Sequence, residues 1–384
     1  MDGSTVFLYL DALPWRRISS GMPFLSDFCE KGMARTLENV LGYSLAIQSV
    51  MLSGTYSDEN NFWLPYYFSP KSSHYRFLQQ MPRSFVMPLE KSWPLRYAFR
   101  ELTNRVFREG KKVLARNMPL SVLPYFDFFS AYYLDESPFF NQVREELLRE
   151  GTELVYIGPP HTANIYKSLF RCLNEKLGDD KKNRNILFFV YDDKVDDYSH
   201  TYGPFSHEVH TYLRFLDRTL NETYRELMKT GTNMIIFSDH GQAEVRNYVD
   251  IISYLSRHKI EFLQDYLCFI DATMALFWIE NERKRERVVR ALEGLKVGKV
   301  IDERLRKKYH VDFRHRLYGD FTYLLHPEYM FFPNFWGRVR PMRGTHGYAP
   351  ENPCQDAFFA TNLRNCKIPK HVKDIRSVIL GLYA

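Results

Sequence analysis

The hydrophobic positions of this chain follow two alternating rhythms. The run Thr5–Leu10 is unbroken, β-branched and aromatic, and it stops at Asp11, Ala12, Leu13 and Pro14. A short continuous apolar run that ends in a turn predicts a strand buried on both faces, as in a parallel sheet. Similar strands are predicted over 185–191 and 232–237, and each runs into carboxylates, Asp192 and Asp193 in one case and Asp239 in the other. Between and around them the spacing changes to that of helices, at 23–32, Ser44–Ser53, 138–150, 162–177 and 205–230. In the last of these, Val209, Leu213, Leu216, Leu220, Tyr224 and Leu227 keep the three-to-four spacing of a single buried face.

Strands alternating with helices predict an α/β fold, with a mostly parallel central sheet and helices on both faces. We read residues 1–384 as one catalytic domain carrying two interruptions. Residues 60–137 are irregular and rich in aromatics, among them Trp63, Tyr66, Tyr97, Phe126, Phe129 and Tyr132. Residues 260–342 hold short strands at 266–270 and 274–279, a charged helix at 281–295 and the aromatic segment 329–336. Both are expected as caps on the sheet, their aromatics forming cap core or a wall against a substrate.

Composition narrows the class. Charged residues are 26% and hydrophobic residues 45% of the 384, ordinary for a globular enzyme and incompatible with long disorder or collagen. The net charge of +6 is too small to imply a nucleic-acid polymer as partner. Cys29, Cys172, Cys268, Cys354 and Cys366 are far apart and odd in number, so reduced thiols are expected in place of a disulfide framework or a cysteine zinc site. No apolar run reaches the roughly 18 residues that would span a bilayer, and no secretory leader is recognisable, so a cytoplasmic protein is expected.

The candidate chemistry lies in scattered aspartates and histidines at strand ends and loops. Ser238-Asp239-His240-Gly241 follows a strand. Asp196 and His200 are four residues apart just after another, ahead of Gly203-Pro204, and His346 sits between Gly344 and Gly347. With Asp11 these make three carboxylates and three imidazoles without a thiolate, a donor set suited to zinc or another first-row divalent ion. Ser44 opens a helical run, where the helix dipole and free N–H groups favour an incoming anion.

In this order, Asp11, Ser44 ahead of Ser53-Gly54-Thr55-Tyr56, Asp196 to Pro204, Ser238 to Gly241, and Gly344 to Tyr348, the motifs resemble the alkaline phosphatase superfamily, and within it the nucleotide pyrophosphatase/phosphodiesterase branch. The resemblance implies an alkaline phosphatase-like fold and a phosphoester hydrolase acting through a phosphoserine on Ser44. It implies two divalent ions, zinc or alternatively manganese or others: one held by Asp196, His200 and His346, the other by Asp11, Asp239, His240 and the Ser44 oxygen. Ser44 stands where that branch usually has threonine, Ala46-Ile47-Gln48 replaces its Pro-Asn stretch, and the sulfatase signature is absent. Asn61 and Arg343 are the nearest matches for groups that hold the phosphoryl oxygens. A small phosphoester is the expected substrate, whether nucleotide, lipid headgroup or sugar phosphate. A phosphomonoesterase or phospho-group transferase is the alternative activity, and an inactive metal-binding scaffold the alternative class.

Overall fold

A computed structural model describes residues 3–108, 114–129, 133–162, 164–177, 185–337 and 339–383. A six-stranded sheet runs through its centre, in the order Met33–Leu37, Ala357–Thr361, Asn233–Ser238, Thr5–Leu10, Asn185–Asp192, Thr152–Ile157. Thr5–Leu10 pairs in parallel with both its neighbours, and Asn185–Asp192 with Thr152–Ile157. Ala357–Thr361 runs antiparallel to the strands on either side of it. The sheet is therefore mostly parallel, as the sequence predicts.

Side-chain alternation along the first strand sorts the two faces. Val6, Leu8 and Leu10 point into one core, closed by the helices Pro23–Lys31, Ile165–Leu177 and His207–Thr230. Phe7 and Tyr9 point into another, closed by Ser44–Ser53, Pro138–Arg149 and Ile375–Gly381. A strand buried on both faces has no polar side to show, which is why the run is unbroken.

Boundaries differ from the sequence reading for local reasons. The long helix begins at His207, two residues after the expected start, because the Ser206 hydroxyl caps it by accepting from the Val209 N–H at 3.2 Å. The helix expected from 162 begins at Ile165, and the strand expected over 232–237 is Asn233–Ser238. Three strands of the sheet carry no clear pattern. Met33–Leu37 and Thr152–Ile157 are edge strands with polar or half-exposed positions, and Ala357–Thr361 is a five-residue antiparallel strand far from the others in sequence.

The two expected caps interlock. Residues 60–137 contribute the antiparallel strand pair Tyr66–Phe68 with Phe126–Phe128 and the helices Arg83–Lys91 and Trp93–Phe107. Residues 260–342 build a four-stranded antiparallel sheet in the order Leu267–Ile270, Met274–Trp278, Phe321–Leu325, Gly298–Ile301. Trp63 stacks on Phe313 at 5.7 Å, and Phe126 meets Trp278 edge-on at 5.0 Å, so the two segments share one hydrophobic core. Tyr97, expected inside, is exposed, and Tyr132 lies outside the described residues. No helix among the described residues is long and apolar enough to cross a membrane.

Candidate metal centre

Ligands in open α/β sheets collect beyond the carboxyl ends of parallel strands. Three such ends lie side by side here, with Leu10 in register with Asp192 and Tyr9 with Phe237. The chain leaves the first as Asp11 and the third as Asp239 and His240. After the second it enters the helix Lys194–Tyr202, which puts Asp196 and His200 one turn apart on one face. His346 arrives from the opposite side on a segment that must pack tightly. A Cβ on Gly344 would strike the Ser199 carbonyl and the Gln242 side chain, and one on Gly347, at φ +83°, would strike the Tyr43 ring.

Ser44 is the first residue of the helix Ser44–Ser53, whose residues from Ala46 to Leu52 are buried. Its Oγ lies 2.9 Å from His240 Nε2 and 3.5 Å from Asp11 Oδ1. His240 Nδ1 donates to the Gly241 carbonyl at 2.9 Å, which turns its Nε2 to Ser44. His200 Nδ1 likewise donates to the Gly344 carbonyl at 2.8 Å, directing its Nε2 to Asp196 Oδ1 at 3.3 Å. His346 Nε2 approaches the same Asp196 oxygen at 3.6 Å. His240 Nε2 sits 3.4 Å from Asp11 Oδ1 and 3.2 Å from Asp239 Oδ2.

Two groups of donor atoms emerge, each gathered within 4.8 Å: Asp196, His240 and His346, and Asp11, Asp239 and His240. His240 belongs to both. His200 enters through Asp196, which gives the expected set of Asp196, His200 and His346 a shared oxygen.

The electrostatics suit a cation. Asp11 and Asp239 are buried, and Asp239 Oδ2 accepts no hydrogen bond. Burial, reinforced by the charges of Asp239 and Asp196, pushes the Asp11 carboxyl well above the usual carboxylate range. Burial likewise raises Asp239 to about 7, against hydrogen bonds from Tyr9 and the Ala12 N–H that oppose the rise. Burial lowers His346 well below the ordinary imidazole range, as does neighbouring His240. At His200 burial acts downwards, but Asp196 and the Gly344 carbonyl outweigh it and hold the ring up to about 9. Carboxylates crowded together in a dry site repel one another unless positive charge sits between them.

Around the site opens a cavity of about 580 Å³. Its walls include Tyr43, Trp63, Tyr133 and Trp336, and its carboxylates include Asp193, Asp197 and Asp271. Burial pushes Asp271 up to about 6, and its Oδ1 accepts from Trp336 Nε1 at 2.7 Å. Neither Asn61 nor Arg343 reaches this cavity. Asn61 is exposed, in the left-handed conformation that ends the short helix Ser57–Asn60. Arg343 is also exposed, and it meets the site only through its backbone N–H, which donates to the His200 carbonyl at 2.9 Å. The guanidinium in the wall is that of Arg116, bonded to Glu101 at 2.7 Å.

Sequence reasoning passed over two supporting groups. Tyr191 donates to Asp11 Oδ2 at 2.5 Å, and Gln242 Nε2 donates to Asp196 Oδ1 at 2.5 Å. Each follows from a strand-end motif, one residue before Asp192 and two after His240, yet nothing in residue type alone singles it out.

Comparison with known proteins follows the same lines. The fold superposes on human ectonucleotide pyrophosphatase / phosphodiesterase 5 with a TM-score of 0.66 and 14% identity, covering 99% of this chain and 94% of that one. The murine protein of the same name gives the same TM-score, 0.66, again at 14% identity and the same coverage. An inactive form of it in complex with AMP gives 0.65 at 14% identity, over 99% of this chain and 94% of that one. These likenesses establish the shared fold. The family model for type I phosphodiesterase / nucleotide pyrophosphatase matches residues 5–349, from the first strand to just past His346. On that match, the chain belongs to the type I phosphodiesterase / nucleotide pyrophosphatase family, hydrolases of phosphoester bonds.

Proposed function

We propose that the chain hydrolyses a small phosphodiester through a covalent phosphoserine on Ser44, at a centre for two divalent cations. The observation that carries this reading is the Ser44 hydroxyl, first in its helix and within 3.5 Å of both His240 Nε2 and Asp11 Oδ1. One cation belongs with Asp196, His200 and His346, and the other with Asp11, Asp239, His240 and Ser44; the oxygen and nitrogen donors favour zinc, with manganese a second choice. When bound, such a pair lowers the pKa of a nearby hydroxyl and offsets charge gathering on the phosphoryl oxygens.

The chain's own groups then act in sequence. Ser44 Oγ releases its proton to solvent and bonds to phosphorus as the ester P–O bond breaks, and the departing alkoxide takes a proton from solvent. Water next attacks the phosphoserine, releasing the phosphoryl product and restoring the hydroxyl. The N-terminal turn of the Ser44 helix directs its dipole at the phosphoryl group throughout.

Charge favours a diester over a monoester. Asp11, Asp196, Asp239 and an ionised Ser44 total −4, which two divalent ions cancel. The remaining carboxylates of the cavity repel a second negative charge on the substrate, and Arg116 is already paired with Glu101. Tyr43, Trp63, Tyr133 and Trp336 offer aromatic faces to the organic part of the substrate. A nucleotide would stack there, in keeping with the AMP bound by the murine relative's inactive form. The five cysteines are free, which supports a reducing compartment, and we assign the protein to the cytoplasm.

Metal-replete protein is expected to turn over bis-p-nitrophenyl phosphate faster than p-nitrophenyl phosphate. Absence of turnover on either ester rejects the reading. A faster monoester, or transfer to an added alcohol, moves it to the phosphomonoesterase or transferase alternative.

A further inference from the structure

The helix Trp93–Phe107 buries a polar stripe and exposes apolar side chains, with only Phe99 and Phe107 partly buried against the hydrophobic core. Its buried residues are Arg96, Arg100, Thr103 and Asn104, all polar, while Leu102 and Val106 are 62% and 66% exposed. Helices on globular proteins do the reverse, with the apolar stripe inward. The orientation is locked by its polar side. Arg96 donates to Asn117 Oδ1 at 2.9 Å and faces Glu90 at 3.5 Å. Arg100 donates to the Tyr66 hydroxyl at 3.1 Å and lies 4.9 Å over the Tyr75 ring. Rolling the helix to hide its leucines would break this network and strand buried guanidinium groups.

The preceding helix adds to the same surface. Phe85, Met87, Leu95, Tyr97, Leu102 and Val106 are six of the fifteen large hydrophobic side chains that the described residues expose, and all fall within 22 consecutive positions. Scattered exposed hydrophobics need no explanation, but a concentration like this one does. The fully exposed charges described on these helices have one sign. Among the described side chains of 83–108, the exposed ionic groups are Lys91, Arg105 and Arg108. Glu90 and Glu101 are half-buried and turned towards Arg96 and Arg116.

We propose that the helical pair 83–108 docks this protein on a lipid surface that carries anionic headgroups. Outward leucine, valine and phenylalanine enter the acyl boundary, while the flanking cations meet the headgroups. A second copy of the chain fits less well, because a two-fold contact would set the same three cations against themselves. The docking face borders the cavity, since Arg116 in the cavity wall bonds to Glu101 and lies 5.6 Å from the Tyr97 ring centre. Docking would therefore hold the mouth of the site beside the membrane, without a spanning segment.

The test is sedimentation of the full chain with vesicles of phosphatidylcholine and phosphatidylserine, mixed at about three to one. Wild type is expected to pellet with them at low salt and less so as salt rises. Leu102→Glu with Val106→Glu should weaken that binding by about tenfold or more, while the thermal transition and hydrolysis of a soluble diester stay unchanged. Lys91→Glu with Arg105→Glu, which removes no apolar group, should abolish the preference for phosphatidylserine. Failure of wild type to pellet overturns the proposal, as does binding by both double variants as strong as that of wild type. A dimer in light scattering that the Leu102→Glu, Val106→Glu variant dissolves would assign the face to a second copy instead. The readout is binding, so it stands or falls separately from the catalytic reading.

Discussion

The imidazoles of His240 and His346 stack face to face, with centroids 3.9 Å apart and 15° between the ring planes. Two imidazolium rings would repel in that arrangement, so the stack requires at least one neutral ring, and burial keeps His346 neutral. Neutral imidazoles are also the form that ligates a cation, which ties the packing of the site to its chemistry.

Stability of the metal-free protein is expected to fall as pH rises above about 6.5. Asp239, with its folded pKa raised to about 7, contributes stability that is complete below the unfolded value and lost as pH climbs through 7. His200, raised to about 9, behaves in the same way across its own, higher window. His346 has the opposite sign, but its contribution is already complete by its unfolded value of 6.5. Thermal melts of chelated protein between pH 6.5 and 9 check this slope, and zinc should remove most of it by binding the deprotonated donors.

Gln242→Leu should weaken one cation without unfolding the chain. The amide holds Asp196 Oδ1 at 2.5 Å, and loss of such an orienting group typically costs about 10–100-fold in metal affinity. Competition titration with a chromophoric chelator is expected to show one weakened and one unaffected equivalent.

Trp63→Ala should destabilise the protein by about 3–5 kcal/mol, the usual cost of removing a large buried aromatic. Trp63 is 1% exposed, donates to the Leu41 carbonyl at 2.7 Å and joins the two interlocked segments through Phe313. Denaturant unfolding measures the loss, and a cost below about 1 kcal/mol would mean the segments do not depend on each other.

The legible parts of the fold were those with a strong period. Thr5–Leu10 and Ser44–Ser53 fall on the residues that the pattern predicts, because a doubly buried strand and a largely buried helix are mostly apolar, with Gln48 and Ser49 the polar residues inside the helix. Met33–Leu37 was hidden because an edge strand keeps one row of its backbone and some side chains in water. The residues that gather at the candidate centre were singled out by their types and their places at strand ends. Asn61 and Arg343 lie away from the cavity, since no spacing rule says which loop faces it. Trp336 and Asp271 come together at that cavity from positions 65 apart, through a segment whose strands pair antiparallel and leave only short, irregular signals. The helix Trp93–Phe107 carries no clear pattern, because its fully buried residues are polar while its leucines are exposed.

The most direct test of the central claim is turnover of bis-p-nitrophenyl phosphate by metal-replete Ser44→Ala, beside wild type with equal metal content. Loss of the nucleophile is expected to lower kcat by about a thousandfold or more while both cations remain bound. Turnover within a few-fold of wild type would show that phosphorus is attacked by something other than Ser44, and the phosphoserine account would fail.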